Sequence, residues 1–245
     1  MTAAPAGDGP EQSEPPEPSE QEHAEQPAAR RGRRAFWWPA ALAAVVALGL
    51  GVPALVSGST PASGSSASTA AASAAPATDS ADAGFARDMA THHQQAIDMS
   101  FIVRDRTQDE AVRGLAFDVI NTQANQRGML MGFLDQWGLS QGTTAKPMAW
   151  MNHTYEPHDG SLMPGMATNT ELEKLRSLSG RDAEVYYLQL MIKHHQAGAE
   201  MAQAYVDAGT NAPEKRLAQG MVDAQHAEIQ LMTDMLHERG AQPAP

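Results

Sequence analysis

From about residue 83 onward, apolar side chains return every three or four positions in four long stretches, and nowhere do apolar and polar residues alternate as in a half-buried strand. The pattern predicts helices near 84–106, 108–137, 181–208 and 212–239. Punctuation supports these limits. Thr107 followed by Glu110 forms a capping box that can start the second helix, and Asn211 with Pro213 and Glu214 does the same for the fourth. Gly138, Gly209 and Gly240 are placed to end helices. A loop from 139 to about 168 and a short helix around 170–178 separate the two pairs. Two helical hairpins joined by one long crossover make an all-α four-helix bundle.

The two hairpins are copies. "MATHHQQAIDM" at 89–99 lies over "MIKHHQAGAEM" at 191–201 with a shift of 102 residues, which sets Met89 on Met191, His92 and His93 on His194 and His195, and Met99 on Met201. The same shift carries Asp98 onto Glu200, Gln123 onto Gln225, Gln126 onto Glu228, Leu134 onto Leu236 and Gly138 onto Gly240. An unbroken register over some 50 residues implies one hairpin used twice.

Helical geometry, about 100° per residue, places Phe85, Met89, Ala96, Met99 and both histidines on one side of the first helix, with Asp98 opposite; the second copy repeats this, with Glu200 opposite. The adjacent imidazoles therefore straddle the direction into the bundle. Counting back from the turns, His92 and His93 lie level with Gln123 and Gln126, and His194 and His195 level with Gln225 and Glu228. One layer then gathers four histidines, three amides and a carboxylate. An ordinary core avoids this, since each unpaired buried polar group costs on the order of 1–3 kcal/mol. The layer is either a hydrogen-bonded specificity device or a metal site, and four imidazoles at one level favour the metal.

Ligand softness narrows the metal. Imidazole suits copper, zinc, iron and nickel, and thioether suits Cu(I). Met89, Met99, Met191 and Met201 bracket the histidine pairs, as core filling or as ligands. The crossover "MAWMNHTYEPHDGSLMPGM" adds Met148, Met151, Met163 and Met166 with His153 and His158, which reads as a second, more exposed copper site or as apolar cover over the bundle. Copper as Cu(I) or Cu(II) is the expected ion, with iron or zinc as alternatives.

The N-terminal third is of another kind. Residues 1–35 form an acidic tail rich in Pro, Glu, Gln, Ala and Ser that ends in the basic group Arg30, Arg31, Arg33 and Arg34; such a composition cannot bury enough surface to fold. Residues 36–56, "FWWPAALAAVVALGLGVPALV", carry no charge and would span about 32 Å as a helix, enough to cross a bilayer. The preceding arginines favour a cytoplasmic N-terminus, and Trp37 and Trp38 suit the membrane interface. A cleaved signal peptide is the alternative, and "RRAFWW" weakly resembles a twin-arginine signal, but the long tail and long apolar run favour an uncleaved anchor. Either way the rest is exported. Residues 57–82 read as a flexible Ser/Ala/Gly linker, 83–240 as the folded domain and 241–245 as a tail.

After residue 35 the chain carries 22 acidic against 13 basic residues, which argues against nucleic acid or anionic lipid as the domain's partner. It has no cysteine, which excludes thiolate metal sites, Fe–S clusters, cysteine nucleophiles and disulfide support.

"FARDMATHHQQAIDM", "MPGMATNTELEKLRSLSG", "YYLQLMIKHHQAGAEMA" and "AQHAEIQLM" together resemble the family called domain of unknown function 305, over about residues 83–240. The resemblance implies a ferritin-like four-helix bundle that is exported or membrane-tethered, in a family where some members look like copper-binding proteins linked to copper tolerance. The motif positions it implies are Met89, His92, His93, Met99, Met191, His194, His195, Met201, Gln225, Glu228 and Met232. Thr91 and Lys193 stand where the family usually has proline, Gln126 and Leu130 occupy the first-repeat places of Glu228 and Met232, and Ala183 and Glu184 stand where an acidic residue after an aromatic is expected. The half-sites are therefore unequal, which speaks against a symmetric dinuclear centre.

Three functions compete. A tethered domain could capture copper for buffering, transfer to a partner protein or tolerance. A ferritin-like di-metal oxidoreductase would usually need about four carboxylates and two E-x-x-H motifs, and the layer offers Glu228 alone. A structural envelope module would use the polar layer for pairing only. Binding without catalysis is the expectation, and no hydrolytic nucleophile set is visible.

Overall fold

The computed structural model describes residues 75–244, together with Thr2. The acidic tail, the apolar span 36–56 and most of the linker thus lie outside the described residues. Five α-helices follow in order: α1 (Ala81–Arg104), α2 (Glu110–Gln136), the short α3 (Asn169–Ser177), α4 (Gly180–Ala208) and α5 (Ala212–Glu238), with one 3₁₀ turn at Ala149–Met151 in the crossover. No strand occurs among the described residues beyond an isolated bridge between His158 and Ser161, and no described helix is long and apolar enough to cross a membrane.

Capping explains most of the boundaries. Ser80 accepts from the Ala83 amide and starts α1 three residues earlier than the apolar pattern suggests. Asn211 accepts from Glu214 and starts α5 as expected. The expected Thr107–Glu110 capping box does not form: Asp109 caps α2 by accepting from Val112. The Thr107 hydroxyl donates to Glu184 of the other hairpin, 2.5 Å away, and accepts from the Asp109 amide at 2.9 Å, which sets Asp109 in the capping position.

Helix α1 packs on α2 and α4 on α5, and the hairpins meet chiefly through α1 against α4. These two central helices run antiparallel: Phe85 stacks on Tyr205 at 4.2 Å, the His92 and His194 rings lie 3.7 Å apart, and the Ser100 and Tyr187 hydroxyls are 2.9 Å apart. Equivalent residues of the two copies therefore meet at His92 and His194, so the repeat acts as a local two-fold passing through that contact. The histidine level divides the interior into two apolar clusters. Met99, Met191, Met232 and Met235 lie in one with Tyr187 and Leu188; Met89, Met201 and Met221 lie in the other with Phe85 and Tyr205.

Near-symmetry also builds a pair of clasps between the hairpins. Asp82 at the start of α1 holds the α4–α5 turn, accepting from the Thr210 amide (2.8 Å), the Thr210 hydroxyl (2.6 Å), the Asn211 amide (3.2 Å) and the Tyr205 hydroxyl (2.7 Å). Its counterpart Glu184, at the start of α4, holds the α1–α2 turn through Thr107 and accepts from Arg239 Nε at 2.8 Å. Arg239 also pairs with Asp109 at 3.0 Å. Although desolvation opposes it, the donors from Thr210, Tyr205 and Asn211 hold the Asp82 carboxyl below its ordinary value.

Candidate metal centre

All four histidines are buried, each no more than 1 % exposed. Three of them donate through Nε2: His93 to Gln126 Oε1 at 2.9 Å, His195 to Glu228 at 2.6 Å, and His194 to the backbone carbonyl of His92 at 3.1 Å. Their Nδ1 atoms are buried with no partner, and neither ring nitrogen of His92 makes a hydrogen bond of good geometry, its nearest acceptor being the Pro164 backbone carbonyl. Gln123 Oε1 and Gln225 Oε1 are equally buried and unpartnered. Exposed Asp98 and Glu200 lie off the layer, as the helical angles require.

Burial keeps His92, His93 and His194 uncharged. Desolvation, reinforced by repulsion from neighbouring imidazoles, lowers His92 and His93 to about 3 and sends His194 well below its ordinary value. A neutral imidazole that donates at one nitrogen and bares a lone pair at the other is the form that ligates metals, and the carboxylate or carbonyl behind it fixes the ring. Among the described residues, however, no group of three or more His, Cys, Asp or Glu side chains converges as a ready metal cluster. Two of the rings lie against each other at a tilt of 32°, and the other two turn outward to Gln126 and Glu228.

Room at the layer comes from a glycine. A Cβ on Gly198 would come within 2.5 Å of Gln225 Oε1 and 3.2 Å of His92 Cε1, so Gln225 and His92 approach only because α4 is bare there. The other copy has buried Ala96 at that position, a local breach of the two-fold.

The methionines fall outside the layer. Met89 and Met201 lie in one apolar cluster and Met99 and Met191 in the other, all fully or almost fully buried. The crossover methionines are not an exposed set, contrary to the sequence expectation of a more exposed second site. Met148, Met163 and Met166 are buried in the cluster of Met89 and Met201, and Met151 packs on its edge. His153 and His158 stay at the surface, His158 beside the Tyr155 hydroxyl at 3.3 Å. The physical reason is that Asp88 draws the loop inward, accepting from the Met148 amide at 2.7 Å and the Trp150 indole at 3.0 Å.

"MPGM" seats the crossover on the histidine helix. Gly165 has φ +77°, and a Cβ there would fall 2.5 Å from the Ala197 Cβ and 2.8 Å from the Lys193 carbonyl. Gly165→Ala should cost about 1–3 kcal/mol from the left-handed backbone and the clash together. A urea midpoint unchanged from wild type would contradict that seating.

A family model described as "Domain of unknown function (DUF305)" matches residues 82–236. Among solved structures, a DUF305 protein from Streptomyces coelicolor is 57% identical, with the match covering 69% of this chain and 99% of that one at a TM-score of 0.64. A DUF305 fragment from Deinococcus radiodurans is 31% identical, covering 64% of this chain and 96% of its own, at 0.54. CopM in its Cu(I)-bound form is 20% identical, covering 64% and 96%, at 0.50, a likeness of fold. No curated protein matches the sequence.

Proposed function

This chain belongs to the DUF305 family, and on that premise we propose that its bundle captures copper outside the cytoplasm and holds it for buffering, transfer or tolerance. The observation that supports this most is the set of buried imidazoles whose Nδ1 atoms lack partners while Nε2 is tied to Glu228, Gln126 or a carbonyl. His92, His93, His194 and His195 would hold the ion. Gln123 and Gln225 would offer oxygen donors, Glu228 would hold His195 in place, and Met89, Met99, Met191 and Met201 would line the apolar clusters on either side, thioethers suited to Cu(I). CopM, which shares the fold, is described in Cu(I)-bound and Cu(II)-bound forms, which makes copper the first ion to test ahead of iron or zinc. Residues 36–56 would tether the domain, and the Streptomyces coelicolor relative is provisionally described as secreted.

Catalysis is not part of the proposal. The layer contains one carboxylate, Glu228, where a ferritin-like di-metal centre uses about four. The reading of the layer as a pairing device draws on the bonds of His93, His194 and His195, but leaves His92 with nothing beyond a poorly aligned contact to the Pro164 carbonyl.

Anaerobic titration of the full chain with Cu(I) against a competing chelator separates the two. The variant with His92, His93, His194 and His195 all changed to Ala should bind at least a hundredfold more weakly, while His153→Ala with His158→Ala stays within about threefold of wild type. Because the quadruple variant could lose its fold, His92→Phe provides a gentler second case, expected to weaken binding at least tenfold with helicity unchanged. Equal affinity in wild type and His92→Phe, or no wild-type binding tighter than about micromolar, would return the layer to a packing role.

A further inference from the structure

A separate cleft lies on the flank of the α1–α2 hairpin. Arg87, Ala90, Thr91 and Gln94 form one wall along α1, Arg127, Met131 and Leu134 form the other along α2, and Gln141 closes one end. Its volume is about 190 Å³. A cavity of about 150 Å³ accepts benzene, so the space suits a ligand of roughly six to eight heavy atoms.

The chemistry of the walls is unusual for this domain. The described part of the chain is strongly acidic, yet no carboxylate lines the cleft, while two guanidiniums, two amides and a hydroxyl do. Arg87 is 6 % exposed, and its hydrogen bonds go to neutral oxygens, the Ser140 carbonyl at 2.9 Å, the Thr78 carbonyl at 2.7 Å and the Thr78 hydroxyl at 3.2 Å. Asp88, its neighbour in sequence, is near enough to feel the Arg87 charge, so Arg87 is partly compensated, while its hydrogen bonds go to the crossover loop. Arg127 Nε is buried without a partner, and neither arginine takes part in an ion pair among the described residues. Arg127 is only half-buried, but its enclosed Nε–H has no partner, and a guanidinium matches a carboxylate with two parallel N–H donors. Ala90, Met131 and Leu134 offer an apolar surface beside the charged end.

We propose that this cleft is a binding site for a small organic carboxylate, with the acid group on Arg127 and the short apolar tail against Ala90, Met131 and Leu134. The site is independent of the histidine layer, and its occupation requires no metal.

The test uses the full chain labelled with ε-13C-methionine, following the Met131 methyl resonance during titration with butyrate, its neutral analogue butyramide, and sulfate. Butyrate should shift that resonance saturably, at a concentration at least tenfold below butyramide. Arg127→Gln should weaken butyrate binding at least tenfold while thermal unfolding stays within a few degrees of wild type. Should Arg127→Gln disturb the fold, Met131→Phe, which narrows the cleft and keeps both guanidiniums, is expected to weaken butyrate binding, read from added stability against heat. Equal response to butyrate and butyramide, no saturable response to butyrate, or saturation by sulfate alone would each overturn the assignment.

Discussion

Acidification should unfold the metal-free domain steeply below pH 6.5. His92 and His93 titrate near 3 in the folded protein against about 6.5 in an unfolded chain, so below 6.5 the unfolded state takes up protons that the folded state refuses. Stability supplied by a depressed group is therefore present above the unfolded value and lost as pH falls. At about 1.4 kcal/mol per unit for each histidine, these two remove on the order of 10 kcal/mol between pH 6.5 and 3, and His194 acts in the same direction. That loss is comparable with the whole stability of an ordinary domain, about 5–15 kcal/mol. Urea midpoints measured at successive pH values should fall steeply from pH 6.5, with the fold gone before pH 3. His92→Phe, which removes the imidazole with the weakest polar contacts of the four, should flatten the slope. A midpoint that is constant between pH 7 and 5 would mean that the imidazoles are hydrated and that the buried layer is misdescribed.

Glu214→Gln should stabilise the domain in alkali, by on the order of 5 kcal/mol above pH 8. The argument begins with counting hydrogens. The Tyr205 hydroxyl lies 2.7 Å from Asp82 and 2.6 Å from Glu214, yet has a single proton to give. Asp82 already accepts from Thr210 and Asn211 as an anion does, so Tyr205 donates to it, and Glu214 must itself carry the proton that joins it to Tyr205. Burial at 0 % exposure, with the negative charge of Asp82 nearby, pushes Glu214 up to about 8. For a raised carboxyl, the folded state keeps a proton that the unfolded state releases. Its contribution is intact below about 4.5 and disappears as pH rises to about 8. Glutamine keeps a donor toward Tyr205 and has nothing to ionise. Unfolding profiles of wild type and variant should separate between pH 4.5 and 8 and run parallel above; profiles that never separate would show Glu214 ionised throughout. With the histidines failing on the acid side and Glu214 on the alkaline side, stability should peak near pH 6 to 7.

The order of helices, the hairpin duplication and the inward aim of four imidazoles were legible in the chain because each rests on local periodicity. The layer's partners were legible too: His93 meets Gln126 and His195 meets Glu228, as counting residues back from the turns requires. The Asp82–Thr210 and Glu184–Thr107 clasps were missed. Their one sequence signal, two acids 102 residues apart at the heads of equivalent helices, gains meaning only when each is known to face the other hairpin's turn. The Thr107 capping box failed for a local reason, since Asp109 two residues on is an equally good cap and takes the Val112 amide, and the Thr107–Glu184 bond across 77 residues was not legible at all.

The crossover shows the division most clearly. By itself the sequence determined that the loop is rich in thioethers and imidazoles, and that the bundle has a polar level flanked by methionine, because spacing along a helix fixes which face a side chain takes. Only the tertiary structure decided that Met148, Met163 and Met166 go inside while His153 and His158 stay out, that the His92 and His194 rings meet, and that two arginines border one cleft. Those outcomes depend on how two hairpins cross and where Asp88 and Gly165 pin the loop. Such contacts span long stretches of chain, and no periodicity along one segment carries them.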